Sequence, residues 1–328
     1  MTPRELLRRI ATIALVLCFG VVVLGAYVRL SAAGLGCPDW PGCYGHVTPI
    51  GAAAAEAGGN GSFANQPVVL GKAWREMIHR YLAATLGLLI VIIAALAIQY
   101  RREKWVRLRL SLGLLGLVVT QGVLGMLTVT WQLKPLIVTS HLLLGLSTLG
   151  TLFWLRLSMM TPVSGSTVRR LAPPGLLVLI ALALQISLGG WTSSNYAATA
   201  CPDLPQCQSS WWPQADYSEA FVLWRGLGRN YEGGVLELPA RVAIQMAHRV
   251  GAVLLTLTLL LIAALVIRRG DHRKREMSWL LLAALALQIS IGSLMVLRGF
   301  PLWLATAHNA GAALLLLAAL AWYRALRR

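Results

Sequence analysis

Residues 76–99 read EMIHRYLAATLGLLIVIIAALAIQ, and residues 241–267 read RVAIQMAHRVGAVLLTLTLLLIAALVI. Each stretch sets a histidine, His79 or His248, at the head of a long apolar run, with an arginine, Arg80 or Arg249, directly after it. A run of roughly 20 such residues spans the ~30 Å of hydrocarbon in a bilayer. No water is available there to satisfy backbone N–H and C=O groups, so the run must be a helix. The two histidines stand 169 positions apart, and a second pair, His141 and His308, stands 167 apart. One half of the chain therefore copies the other.

Outward from these two runs, six more of similar length appear, giving spans near 10–30, 76–99, 108–130, 136–158, 173–192, 241–267, 277–297 and 301–323. Of the 328 residues 57% are hydrophobic and 12% charged, and the mean hydropathy is +0.67. That balance excludes an ordinary soluble domain. The fold class expected is an all-α integral membrane protein of eight spans, arranged as two pseudo-symmetric four-helix bundles. The boundaries are 1–160 and 161–328, with Thr161 to Arg170, rich in Pro, Ser and Gly, as the joint. An even number of spans per half makes the repeats parallel.

The net charge of +17 could suggest a nucleic-acid partner, but its placement gives a topology signal instead. The N-terminus, the 2–3, 4–5 and 6–7 connections and the C-terminus hold 19 of the 29 basic residues. Cytoplasmic loops carry such an excess, which puts both termini in the cytoplasm and the other connections outside. No nucleic acid is expected. The N-terminal basic patch and apolar run also suit a cleaved signal peptide ending at Ser31-Ala32-Ala33. The length of the run, and the unequal halves that cleavage would leave, favour a retained span.

The duplication extends to the outer loops. Cys37-Pro38-Asp39-Trp40-Pro41-Gly42-Cys43 recurs 164 positions later as Cys201-Pro202-Asp203-Leu204-Pro205-Gln206-Cys207. On an oxidising face, disulfides Cys37 to Cys43 and Cys201 to Cys207 are the default, the Pro and Asp favouring a tight turn. Metal binding by two thiols and an Asp, or a redox role for labile short-loop disulfides, stays open. The long connections 31–75 and 193–240 differ in character. The Ala/Gly-rich stretch Gly51 to Gly61 is expected to be flexible. Trp211, Trp212, Tyr217, Phe221 and Trp224 suit either an interfacial segment or a lid over a buried cofactor.

Even-numbered spans run inward, so His79, His141, His248 and His308 share one depth near the outer face. A single intramembrane histidine is often a helix–helix bonding residue. Four at one depth on corresponding helices suit two pairs of axial haem ligands, since a neutral imidazole binds haem iron and facing helices of a bundle present it. His46 and His272 fall outside the pattern and are expected to be solvated. Arg80 and Arg249 point elsewhere than the histidines beside them, either to a haem propionate or to the headgroups. Arg29, at the outer end of the first span, is a further propionate candidate.

The halves differ three residues before the first histidine: Glu76 precedes His79, but Gln245 precedes His248. A carboxylate there can take a proton or stabilise positive charge, and an amide cannot do the former. Equally, a glutamate in a first turn favours the helix N-terminus.

Taken together, the Cys-Pro-Asp-x-Pro-x-Cys loop, Glu76-x-x-His79 and the histidines opening spans four, six and eight resemble the haem A synthase family of bacterial type, over nearly the whole chain. The resemblance implies conversion of the C8 methyl of haem O to the formyl of haem A, through an alcohol and a geminal diol that loses water. It implies His248 and His308 as ligands of a resident haem b, His79 and His141 flanking the substrate haem, Glu76 as the essential carboxylate, and both cysteine pairs as outer-face disulfides. The implied setting is a bacterial cytoplasmic (inner) membrane, with haem O, membrane lipid, haem O synthase and the terminal-oxidase assembly pathway as partners. Two rivals remain: a di-haem b electron carrier working with quinol or an outer acceptor, and a transporter of parallel repeats with helices broken at the midplane.

Overall fold

The computed structural model describes residues 1–57, 67–159 and 172–327. Among them, eight helices are long and apolar enough to cross a membrane: α1 (Pro3–Leu30), α3 (Leu70–Gln99), α4 (Leu108–Thr130), α5 (Pro135–Ser158), α6 (Ala172–Ser194), α8 (Leu238–Arg269), α9 (His272–Leu297) and α10 (Leu302–Leu326). Two short helices, α2 (Pro49–Ala57) and α7 (Tyr217–Ala220), lie in the long connections. The chain is thus a multi-pass, all-helical membrane protein.

Two helices, α1 and α9, begin before their apolar stretch because a cap, not hydropathy, sets the start. Thr2 accepts a bond from the Glu5 amide while the Glu5 carboxylate accepts one from the Thr2 amide, and Pro3 takes the first helical position. At α9 the Asp271 carboxylate accepts from the Lys274 amide at 2.9 Å and from its ammonium at 2.5 Å. These bonds from Lys274 hold the Asp271 carboxyl below its ordinary range and add a charged first turn that an apolar window cannot see. α2 corrects an expectation of flexibility over 51–61. Residues 51–57 are helical, Gly51 donates to the Thr48 hydroxyl at 3.4 Å, Ala52 is buried, and α2 packs on α3. Alanine is the best helix former, so an Ala run with a threonine before it starts a helix readily. Residues 58–61 lie outside the described ones.

The chain divides into two compact units, Met1–Leu155 with Leu223–Val235, and Arg156–Val222 with Leu236–Arg328. The expected joint, 161–170, lies outside the described residues. In the first unit α1 buries Leu7, Ala11, Ala14, Cys18, Val21 and Val28, one face at helical period, and packs on α3, which buries Ala73, Ile90, Ile93, Ala94 and Ala97. Small side chains on both faces let the backbones approach, which is how helices gain contact where lipid supplies no hydrophobic drive. In the second unit Val178, Leu259, Ile262, Leu281, Leu285, Leu315 and Trp322 form the core. Trp322 donates its indole N–H to the Ser278 hydroxyl at 2.8 Å, so the polar atom of a fully buried ring is satisfied.

Leu223–Val235 belongs to the first unit although its sequence neighbours belong to the second, a crossing not anticipated from the sequence. Lys134, directly before α5, is 1% exposed and donates to the Gly226 carbonyl. Its ammonium lies 3.1 Å from the Trp224 ring centroid, and Trp224 meets Trp131 edge-on at 5.8 Å. The Tyr231 amide donates to the Gln132 carbonyl at 3.0 Å. Burial pushes the Lys134 pKa down, while the ring face and the carbonyl offset that cost. Trp211 and Trp212 remain exposed.

Candidate functional site

Each unit joins a cysteine loop to the start of a histidine-bearing helix, and the two assemblies match bond for bond over most of their extent. Cys37 is joined to Cys43 and Cys201 to Cys207. Inside the first loop the Asp39 carboxylate accepts from the amides of Tyr44 at 2.6 Å and Gly45 at 2.8 Å. In the second, Asp203 accepts from Gln208 and Ser209, both at 2.7 Å. These bonds, the Ser209 amide first, hold the Asp203 carboxyl below its ordinary value. An aspartate that bonds the backbone ahead of it closes the turn and brings the two sulfurs together. Cys43 and His46 exchange two backbone bonds, as do Cys207 and Ser210.

The arginine after each histidine ties this loop to the helix. Arg80 donates to the carbonyls of Asp39, Pro41 and Gly42 at 2.9, 3.3 and 2.6 Å. Arg249 donates to those of Cys201, Asp203 and Gln206 at 3.0, 2.8 and 2.7 Å. The sequence had set a propionate against lipid headgroups for these side chains; loop clamping was a third role that it did not suggest. Arg29 lies in the last turn of α1. His272 is solvated as expected, its side chain 88% exposed beside Glu276.

The two assemblies part at one position. Glu76 is 4% exposed; one oxygen accepts from the Cys37 amide at 2.9 Å and the other pairs with Arg80. Gln245 is as deeply buried, but its amide oxygen has no partner, and the corresponding guanidinium turns to the Cys201 carbonyl. The first unit therefore carries a buried, anchored anion where the second carries a neutral amide.

Beyond Glu76 and Gln245 come the histidines, two in each unit: His79 on α3 with His141 on α5, and His248 on α8 with His308 on α10. Every ring lies against a glycine of the neighbouring helix. A Cβ added at Gly25, Gly125, Gly189 or Gly292 would stand 2.8, 3.6, 3.2 or 2.8 Å from Cε1 of His79, His141, His248 or His308. A glutamine one turn before three of these glycines reaches the same histidines. Gln121 donates to the His141 carbonyl at 2.8 Å, Gln185 to that of His248 at 2.9 Å and Gln288 to that of His308 at 3.1 Å.

The family model described as cytochrome oxidase assembly protein, COX15-CtaA, matches residues 8–320. The chain belongs to this family. A relative in Shewanella oneidensis, named Heme A synthase, is 42% identical over 308 residues, covering 93% of this chain and 92% of the relative. Proteins of the same name in a Methylobacterium species and in Paracoccus denitrificans are 29% and 27% identical, over 96% and 94% of this chain and 90% and 84% of theirs. These matches run over nearly the whole chain, not over one motif.

The glycines and the ring contacts of the glutamines were not read as site residues from the sequence. A signal existed: Gly25 and Gly189 repeat at the 164 offset of the cysteine loops, and Gly125 and Gly292 at the 167 offset of the second histidine pair. From sequence alone Gln121, Gln185 and Gln288, set beside small residues, suit either the midplane polar groups of a transporter or ordinary helix packing.

Proposed function

We propose that this chain is an oxidoreductase converting the C8 methyl of haem O to the formyl group of haem A. The observation that carries this reading is the one-sided carboxylate: two matched histidine pairs, of which one has an anchored anion beside it. A simple electron relay has no use for a carboxylate at one site alone, which disfavours the di-haem carrier. The eight long helices are continuous over their spans, which removes the ground for a transporter with broken helices.

The residues suit haem. Four partly buried imidazoles come in two pairs, the Nδ1 atoms of His79 and His141 are buried without a partner, and the glycine against each ring removes the side chain that would crowd it. In our reading His248 and His308 hold a resident haem b, which supplies one-electron transfer when bound. His79 and His141 flank the substrate haem O. Glu76 is held from two sides, so its position is fixed before substrate arrives. A carboxylate so placed can take a proton from the oxidised carbon substituent or stabilise positive charge there. Arg29 is the candidate for a propionate. The basic connections support a bacterial inner-membrane setting with both termini cytoplasmic and the cysteine loops outside. Residues 1–160 are then the substrate half and 161–328 the cofactor half, with haem O synthase and the terminal-oxidase assembly pathway as functional neighbours.

The test is Glu76→Gln assayed in membranes supplied with haem O. The expected result is haem O accumulation with normal haem b content; unimpaired conversion would remove Glu76 from the chemistry.

A further inference from the structure

Glutamine contacts separate the four histidines along the same line as Glu76, but by a different mechanism. The Gln185 amide nitrogen stands 3.0 Å from His248 Nδ1, and that of Gln288 stands 3.3 and 3.2 Å from the two ring nitrogens of His308. In the first unit Nδ1 of His79 and Nδ1 of His141 are both buried with no partner. Gln121 reaches the backbone carbonyl of His141 but not its ring.

At His79 the difference is a paired exchange. By the 164 offset Gln185 corresponds to Val21, and by the 169 offset Gly251 corresponds to Leu82. The two changes belong together. The Gln185 amide oxygen lies so close to Gly251 that a Cβ there would overlap it, so the amide needs the glycine. Val21 and Leu82 replace amide and glycine with carbon. Gln288 rests on Gly311 in the same way, three residues past His308. Beside Gln121 the glycine is Gly145, four residues past His141, which shifts the amide around the helix.

We propose that Gln185 and Gln288 are positioning residues that orient His248 and His308 for a tightly held haem, and that rings without this contact leave the haem at His79 and His141 free to exchange. The proposal rests on the assignment of resident and substrate haem given above. A neutral imidazole that ligates iron through one nitrogen carries its proton on the other, and that donor needs an acceptor. In the structure the amide nitrogens of Gln185 and Gln288 face the rings and their oxygens are buried without partners; a half-turn of each amide about its last side-chain bond presents that oxygen to the ring as the acceptor of its N–H. Partners of this kind fix ring orientation, and removing them typically costs 10–100-fold in metal affinity. A resident cofactor requires such a hold; a substrate that must leave as product does not.

The experiment uses the full-length chain in detergent and reads haem identity and content per chain, haem release to an excess of apomyoglobin, and the reduction midpoint potential. Gln185→Val/Gly251→Leu writes the first unit's pair into the second. It is expected to release haem b about 10-fold faster or more and to shift the potential. Gln288→Leu should act the same way, and Gln185→Glu, which keeps an acceptor, should restore retention. The reverse exchange, Val21→Gln/Leu82→Gly, should slow release of haem from the first unit and lower turnover. Unchanged release and potential in Gln185→Val/Gly251→Leu and Gln288→Leu, with His248→Ala stripping haem b, would overturn the positioning role and leave the functional assignment standing. Full haem b retention in His248→Ala would overturn that assignment itself, and the proposal with it.

Discussion

Glu76 and Arg80 form a buried ion pair one helical turn apart, and the same guanidinium carries the carbonyls of the Cys37–Cys43 loop on its other nitrogen. Removing one partner of a buried pair leaves an uncompensated charge, at a cost of roughly 3–5 kcal/mol. Arg80→Ala should therefore lower thermal stability in detergent more than Arg249→Ala, which strands no carboxylate of a Glu76 kind. Adding Glu76→Gln to Arg80→Ala should recover part of the loss. Equal losses for the two arginines would show that the clamp, not the charge, dominates.

The glycines against the histidines give a graded series. Gly25→Ala and Gly292→Ala put a Cβ 2.8 Å from an imidazole carbon, whereas Gly125→Ala puts one at an ordinary 3.6 Å. The first two should displace a ring and lower haem content and activity, and Gly125→Ala should be close to wild type. Haem per chain, read from the pyridine haemochrome spectrum, checks the order.

The two disulfides close loops of equal length, so chain entropy assigns each about 2 kcal/mol. Their functional weight should differ. The Cys37 amide bonds Glu76, but no bond joins Gln245 Oε1 to the second loop. Cys37→Ser/Cys43→Ser should depress haem O conversion beyond its effect on stability, and Cys201→Ser/Cys207→Ser should lower stability with conversion largely kept. A turnover assay at a temperature well below both unfolding midpoints separates the two effects.

Leu223–Val235 is fastened to the first unit through Lys134 and Trp224, two turns from His141 along α5. Trp224→Ala removes the half-exposed ring from a cation–π contact worth roughly 0.5–1 kcal/mol. It should raise the rate of protease cleavage within 223–235, with the helices intact. An unchanged digestion rate would mean that Gly226 and Tyr231 suffice to hold the segment.

Much of this was legible in the residues. Apolar runs of spanning length, the offsets of 164, 167 and 169, and the Glu76 to Gln245 difference are local patterns that depend on no contact. The loop clamp was not legible, because an arginine beside a histidine has the same sequence whether it turns to lipid, ligand or backbone. The passage of Leu223–Val235 into the first unit is a tertiary event that neither hydropathy nor repeat spacing encodes. The ring contacts of Gln185 and Gln288 depended on Gly251 and Gly311, residues that carry no chemistry of their own and mark the site only by what they leave room for.

The most direct measurement is mass identification of haems extracted from membranes of a host that makes haem O but no haem A, with and without this chain. Haem A, or its hydroxylated precursor, should appear only with the chain and should vanish with Glu76→Gln while haem b remains. Haem O left unaltered, with haem b at both histidine pairs, would contradict the account.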